Sequence, residues 1–132
     1  MLAWVLLAII VVGLGYIRLA PSDPAQWHVL PDFDRDKDFK AGVMRVVETG
    51  PDGLVRLHDI AVATPRTTVL AGSPEEGMVT YVTRTKVFGF PDYTTAAQDG
   101  DMLKIYARLR FGRRDSGVNR ARVEAWLAAL QP

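Results

Sequence analysis

The sequence predicts an α+β protein: a single N-terminal transmembrane helix, followed by a small domain with a mainly antiparallel sheet of about five strands and two helices packed on one face. Three observations lead to this fold class. Residues 1–17 contain no charged side chain and form a continuous apolar stretch. After residue 40, short apolar or β-branched segments are separated by turn-forming Gly, Pro and Asp, which is typical of antiparallel strands. Two further segments, near residues 54–64 and 123–130, repeat apolar residues at helical spacing.

Composition limits the class of protein. Of 132 residues, 16 are Lys or Arg and 15 are Asp or Glu, a net charge of +1. This balance provides no bulk attraction to nucleic acid, so we predict no nucleic-acid partner. The absence of cysteine excludes a disulfide, a thiolate nucleophile and a sulfur-ligated metal. Acidic residues outnumber basic ones in residues 21–76 and the reverse holds in residues 77–132, so the two halves of the domain carry opposite charge.

Residues 1–19 are predicted to be a transmembrane anchor. The uncharged residues 1–17 would span about 26 Å as a helix, close to the roughly 30 Å hydrocarbon core of a bilayer. Trp4 and Tyr16 lie near the two ends, where amphipathic rings favour the headgroup region. Arg18-Leu19-Ala20 lacks the first small residue of a cleavage site, which favours an uncleaved anchor over a signal peptide. The basic residues that follow, taken alone, favour a cytoplasmic domain.

Residues 20–40 are predicted to be a membrane-proximal acidic linker. Pro21 and Pro24 stop a helix and favour extended conformations in the residues before them. Four aspartates then alternate along the chain: Asp32, Asp34, Asp36 and Asp38. A calcium loop starting at Asp32 needs Gly at its sixth position and Glu at its twelfth, where this chain has Lys37 and Val43. We therefore predict a solvated acidic segment and no metal site.

Residues 41–132 are predicted to form the α+β domain. Its strands are expected at residues 43–49, 67–71, 78–88, 93–98 and 102–111. A short amphipathic helix follows the turn Gly50-Pro51-Asp52-Gly53, and a final helix is capped by Asp115 or Ser116. The apolar stripe of the final helix contains Trp126, which we expect to anchor the core. The strand at 102–111 is the clearest, because its apolar and polar residues alternate with a strict period of two.

The polar side of that last strand suggests anion binding. Lys104, Tyr106, Arg108 and Arg110 share one face, and basic residues of a neighbouring strand could join them. Guanidinium groups bind phosphate and carboxylate in a bidentate manner, so such a face would hold an anion. The alternative is that this face is simply the solvated side of the sheet, paired with the acidic half of the domain. The candidate binding residues are Arg84, Lys86, Tyr106, Arg108, Arg110, Arg113, Arg120 and Arg122.

Several motifs in the domain resemble the bacterial domain of unknown function 1499 family. They are Thr80-Tyr81-Val82, Gly89-Phe90-Pro91-Asp92-Tyr93, Arg108-Leu109-Arg110-Phe111-Gly112 and the run from Asp115 to Leu127. The resemblance singles out Asp92, Tyr93 and Asn119 as candidate loop-motif residues. It implies one α+β domain and export-type targeting, with the soluble domain on the periplasmic side of the bacterial inner membrane. Many relatives carry an Asn-Cys pair that this cysteine-free chain lacks, so a role of that pair does not transfer.

Three classes of function are compatible with these features. The first, which we favour, is a non-catalytic accessory or docking protein for another membrane protein or complex, because a single anchor and a small domain suit such a role. The second is a module that binds an anion or an anionic lipid through the basic residues. The third is an enzyme of unknown reaction, but the three serines lack a G-x-S-x-G elbow and no Gly-rich phosphate loop precedes a helix. We therefore predict no catalytic residue and no cofactor. The apolar N-terminal segment and the family resemblance predict a protein of the cell envelope.

Overall fold

The computed structural model describes residues 1–131, which form an apolar helix followed by an α+β domain. In chain order, the elements are α1 (Leu2–Leu19), α2 (Pro24–Trp27), β1 (Lys37–Phe39), β2 (Gly42–Glu48), α3 (Gly53–Val62), β3 (Thr67–Ser73), β4 (Met78–Arg84), β5 (Pro91–Asp99), β6 (Met102–Leu109) and α4 (Val118–Leu130). A short 3₁₀ turn separates β3 from β4. By its length and composition, α1 is the one helix in residues 1–131 that could cross a membrane. The predicted α+β class is confirmed.

The six strands form a single antiparallel sheet in the order β1-β2-β6-β5-β4-β3. The sequence predicts about five strands, and the additional strand is β1. Its residues Lys37, Asp38 and Phe39 pair with the start of β2. Because β1 has only three residues and lies within the acidic stretch, no alternating apolar pattern marks it in the sequence.

Two strands end earlier than their apolar patterns predict. β4 stops at Arg84 because the residues after it form a compact turn. In that turn the Thr85 N–H donates to the Phe90 carbonyl (3.0 Å), and the Phe90 N–H donates to Thr85 Oγ1 (2.9 Å). β6 stops at Leu109 rather than at Phe111. Both ends lie next to the last turn of α1.

The hydrophobic core lies between one face of the sheet and the two longer helices of the domain, α3 and α4. Ala61 of α3 and Val123 of α4 are fully buried within it. Trp126 is 3% exposed and packs edge-on against Tyr81, with ring centroids 5.8 Å apart. Its indole N–H donates to Thr64 Oγ1 (3.0 Å), so the buried polar atom is satisfied. The predicted packing of two helices on one face, with Trp126 as an anchor, is therefore confirmed.

The second face of the sheet is covered at its centre by residues 20–28. The sequence predicts that this face is open to solvent, and at its centre that prediction is wrong, because Arg108 is only 5% exposed and Thr80 is fully buried. Trp27 stacks on Tyr93, with ring centroids 4.1 Å apart and planes 14° from parallel. The segment predicted as a linker thus packs against the sheet over its first part.

Candidate functional site

The structure separates seven of the predicted binding residues into three groups. The first contacts residues 20–28 directly or through Arg108, the second forms ion pairs with aspartates, and the third lines a cavity beside the end of α1. In this order, the groups are Tyr106, Arg108 and Arg110; Arg120 and Arg122; and Arg84 and Lys86. Arg113 is exposed in the loop before α4. The single basic face expected from the sequence is therefore absent from the described residues.

Arg108 of β6 is a buried cation held by neutral groups. Its guanidinium donates to the Trp27 carbonyl (2.5 Å), to Thr95 Oγ1 (2.9 Å) and to the Tyr106 carbonyl (3.1 Å). Its central carbon lies 5.6 Å and 4.3 Å from the ring centroids of Trp27 and Tyr106. Because burial disfavours the charged form, the pKa of Arg108 is lowered to about 10. Arg108 therefore holds the N-terminal segment and is almost entirely buried beneath it.

Two further arginines fasten the chain that leaves α1. Arg110 donates to the Pro21 carbonyl (3.0 Å) and to the Tyr93 hydroxyl (3.0 Å). Arg84 donates to the Ile17 carbonyl (3.3 Å), which belongs to the last turn of α1. Carbonyls in the last turn of a helix lack intrahelical partners, so an arginine donor there satisfies a group that would otherwise need water. The end of α1 and the residues after it are thus hydrogen-bonded to the sheet.

A buried ion pair joins β5 to α4. Arg122 Nη2 lies 3.2 Å from Asp92 Oδ2, and the two side chains are 12% and 8% exposed. Arg122 also donates to Asn119 Oδ1 (2.7 Å), while the Asn119 N–H donates to both carboxylate oxygens of Asp115 (3.0 Å each). Burial raises the pKa of Asp92, and the positive charge of Arg122 opposes that rise. Asp92 and Asn119 therefore meet in a buried junction, whereas Tyr93, the third loop-motif candidate, packs on the opposite face.

Three of the four alternating aspartates, Asp34, Asp36 and Asp38, form ion pairs with arginines. Asp38 lies 2.7 Å from Arg45 Nη1 and 3.3 Å from Arg120 Nη1. The hydrogen bond from Arg45 lowers the pKa of Asp38. Asp36 Oδ1 accepts a hydrogen bond from the Val46 N–H (2.9 Å). Within residues 1–131, no group of three or more His, Asp or Glu side chains is placed to hold a metal ion.

A cavity of about 310 Å³ beside the C-terminal end of α1 is the best candidate binding site. Four of its lining side chains are cations and none is acidic; the lining residues are Arg18, Arg66, Thr68, Arg84, Thr85, Lys86 and Gly89. None of the four cations forms an ion pair with another group in residues 1–131. Converging guanidinium and ammonium donors without a protein carboxylate are suited to a phosphate or carboxylate ligand.

Half of the cations in this cavity are predicted from the sequence as binding residues. Arg84 and Lys86 are among the candidates predicted from the sequence, but Arg18 and Arg66 are missed, because Arg18 lies in the last turn of α1 and Arg66 lies in a turn between α3 and β3. Arg66 adopts a left-handed conformation with φ of 57°, which is uncommon for a residue other than glycine. Its Nε donates to the Arg84 carbonyl (3.2 Å). No spacing in the sequence indicates that positions 18, 66 and 84 meet.

Comparison with known proteins identifies a family. The family model described as protein of unknown function (DUF1499) matches residues 17–130. The match begins in the last turn of α1 and ends at the last residue of α4, so it includes residues 20–40 and the whole sheet. It confirms the resemblance seen in the sequence motifs. No curated protein and no solved structure matches the chain.

Proposed function

The chain belongs to the DUF1499 family of proteins of unknown function, and we propose that it is a membrane-anchored, non-catalytic module that binds an anion at the surface of the bilayer. The observation that carries this proposal is the cavity in which Arg18, Arg66, Arg84 and Lys86 meet beside the end of α1. α1 serves as the anchor, because it is long and apolar enough to cross a membrane. The cavity would then lie at the depth of the lipid headgroups.

The distribution of charge across the sheet supports anion binding at this place. The cavity is next to β3 and β4, whereas the aspartate-rich stretch lies next to β1, and β1 and β3 are the two edge strands. Asp38, at the β1 edge, is paired with arginines there. An anion that approaches the domain would therefore be attracted to the edge that carries the unpaired cations.

The donors in the cavity are available to a ligand. Arg84 uses only Nη1 for its hydrogen bonds to the carbonyls of Ile17 and Gly89. Its Nη2 is left for an oxygen of a bound anion, and Lys86 is exposed. A hydrogen bond to a charged group contributes about 1.5–3 kcal/mol, so the loss of two such contacts would weaken binding by about 100-fold or more.

Binding is tested with the full chain and with two charge-matched double variants. Arg66→Gln with Lys86→Gln removes two cations from the cavity, and Arg35→Gln with Lys37→Gln removes two exposed cations near β1. Inorganic phosphate is titrated calorimetrically into the protein in neutral detergent, and retained lipid is identified by native mass spectrometry after purification from phosphatidylcholine and phosphatidylglycerol nanodiscs.

We expect the cavity variant, but not the control variant, to lose affinity for the anion. Retention of phosphatidylglycerol without phosphate binding would identify a lipid headgroup as the ligand, and phosphate binding without lipid retention would identify a free anion. Equal behaviour of the wild type and the cavity variant in both assays would overturn the proposal.

A second candidate is the accessory or docking role for another membrane protein, which sequence analysis ranks first. The hydrogen bonds from Arg84 and Arg110 to the end of α1 and to Pro21 favour it, because they hold the domain in one orientation relative to the anchor. Mild-detergent purification from the native membrane at low and high salt, followed by mass spectrometry, tests this role. A stoichiometric protein partner would support it, and a lone monomer that carries lipid would favour anion binding.

For the side of the membrane, we propose that the domain is periplasmic and anchored in the bacterial inner membrane. The export-type targeting implied by the family resemblance supports this, whereas the basic residues after α1 favour the cytoplasm. Because the chain has no cysteine, Asp34→Cys introduces a single reactive site on an exposed residue. A membrane-impermeant maleimide should label it in cells whose inner membrane is intact; labelling only after lysis would place the domain in the cytoplasm.

A further inference from the structure

The turn between β4 and β5, residues 85–90, exposes two apolar side chains. Val87 is 68% exposed and Phe88 is 50% exposed. The turn is closed by the hydrogen bonds between Thr85 and Phe90 described above. Two large apolar side chains are therefore presented to the surroundings by a hydrogen-bonded turn.

The same turn is attached to the last turn of α1. Arg18 donates a hydrogen bond to the Val87 carbonyl. Arg84 Nη1 bridges the carbonyls of Gly89 (2.9 Å) and Ile17 (3.3 Å). Hydrogen bonds from Arg18 of α1 and from Arg84 of β4 thus fix the position of the exposed apolar residues relative to the end of α1.

A line of aromatic rings also leads from the turn to the helix. Ring centroids are 6.0 Å apart for Phe88 and Phe90, 6.4 Å for Phe90 and Phe111, and 6.1 Å for Phe111 and Tyr16. These separations are those of packed aromatic pairs. Tyr16 lies near the end of the apolar stretch, which is where the headgroup region begins if α1 crosses the bilayer.

We propose that residues 85–90 enter the interface of the leaflet in which α1 ends, with Val87 and Phe88 as the inserted side chains. This inference rests on the anchor role proposed for α1. The occupant of the apolar surface is the lipid, because the surface is continuous with the end of the apolar helix. Arg18 and Lys86 flank the inserted residues and lie at the depth of the lipid phosphates. The basic cavity would then face headgroups, and its anion would be the phosphate of a membrane lipid.

The absence of cysteine allows a direct test in the full chain. Phe88→Cys and, separately, the control Val55→Cys are labelled with an environment-sensitive nitrobenzoxadiazole group and placed in nanodiscs of phosphatidylcholine and phosphatidylglycerol. Val55 is an exposed valine of α3, on the other side of the sheet. We expect a blue-shifted emission at Phe88→Cys that is quenched by lipids with a nitroxide on the upper acyl chain, and an emission at Val55→Cys that is quenched by aqueous iodide.

The same labelled chain in lipid vesicles distinguishes failure of the inference from failure of the anchor. Resistance of the chain to extraction from the sedimented vesicles by alkaline carbonate reports whether α1 holds it in the membrane. A retained chain whose Phe88 label is quenched by iodide, like the control, would overturn the insertion and leave the anchor intact. An extracted chain would overturn both. A second label at Val87→Cys must agree with the first, so that a local distortion at one position does not decide the result.

Discussion

Arg108 holds Trp27 without an ion-pair partner among residues 1–131. Arg108→Met would retain much of the apolar contact with the neighbouring rings but remove the donors to the Trp27 carbonyl and Thr95 Oγ1. We expect the free energy of unfolding to fall by about 1–3 kcal/mol, the cost of leaving a buried polar group unpaired. Urea titration of the full chain in detergent micelles, followed by tryptophan fluorescence, measures the change.

The exposed Arg113 provides the matched control for that substitution. Arg113→Met removes the same charge from the loop before α4, and we expect its free energy of unfolding to match that of the wild type. If Arg108→Met were as stable as Arg113→Met, the free energy gained by no longer burying a charge would equal the free energy lost with the hydrogen bonds. Arg108 would then not stabilise the covering segment.

The ion pair between Arg122 and Asp92 leads to a prediction that depends on pH. Arg122→Met leaves a buried carboxylate without its cation, and we expect the free energy of unfolding at neutral pH to fall by about 3–5 kcal/mol. The pKa of Asp92 is raised by burial, so the folded protein favours the protonated form. The contribution of Asp92 to folding stability is fully present below its ordinary pKa of 3.8, and it is lost as the pH rises through the raised pKa of the folded protein. The deficit of Arg122→Met should therefore shrink as pH is lowered.

Urea titrations of the wild type and Arg122→Met across the acidic range measure this deficit. The double variant with Asp92→Asn is the control, because it removes the stranded charge, and it should recover most of the stability at neutral pH. A deficit that stays constant with pH, or a double variant no more stable than the single one, would mean that packing rather than charge accounts for the effect.

Residue roles were predictable from the sequence only where they depend on local spacing. The helical spacing of the last segment correctly predicts Trp126 as a core anchor. The alternation of β6 correctly separates its two faces, yet it assigns Arg108 to solvent. The group that covers Arg108 is the Trp27 carbonyl, 81 positions away along the chain. A long-range contact of this kind leaves no periodic signal in either segment.

At the scale of elements, β2 and β6 approach closely at Gly42. A Cβ at this position would lie 1.8 Å from the Ala107 carbonyl oxygen, which belongs to the facing backbone and cannot yield as a side chain does. We expect Gly42→Ala to lower the free energy of unfolding by about 1–3 kcal/mol, as overpacking does, and to speed hydrogen exchange in β2 and β6. Hydrogen exchange read by mass spectrometry locates the change.

Gly77→Ala is the control for the faster hydrogen exchange expected in Gly42→Ala. Gly77 has a φ of 82° and open space around its Cβ position, so its substitution strains one turn without separating strands. Its effect should be confined to the connection between β3 and β4. Unchanged exchange in β2 and β6 of Gly42→Ala would contradict the close contact between these strands.

The elements that could be predicted are those whose own sequence shows a clear pattern of apolar residues. α1 is apolar except for Arg18 in its last turn, α4 has an apolar stripe, and the sequence of β6 alternates strictly. β1 and α2 have three and four residues, too few for a period to appear. The Asp23 side chain caps the start of α2 by accepting a hydrogen bond from the Ala25 N–H (3.0 Å). Because α2 is so short, the sequence does not identify Asp23 as a helix cap. Residues 20–40 therefore read as a linker, although they pack on and extend the sheet.

At the scale of the whole molecule, the candidate cavity exists because α1 and the domain meet. It combines Arg18 from the end of α1 with Arg66, Arg84 and Lys86 from the sheet and its turns. The sequence predicts the anchor and the domain separately, but it contains no signal for their relative orientation. That orientation depends on hydrogen bonds from Arg84 and Arg110 to carbonyls of Ile17 and Pro21.

We expect these bonds to give a single, narrow distance between α1 and the domain in the full chain. Spin labels at Leu19→Cys and Val55→Cys, both exposed residues, report that distance by pulsed electron paramagnetic resonance in nanodiscs. Arg84→Gln with Arg110→Gln removes the donors to the carbonyls, so the distribution should broaden severalfold. Arg113→Gln with Arg114→Gln removes the same charge from exposed positions and should leave it narrow. A distribution that is already broad in the wild type would mean that residues 20–28 act as a flexible linker, and the cavity would then have no fixed place relative to the bilayer.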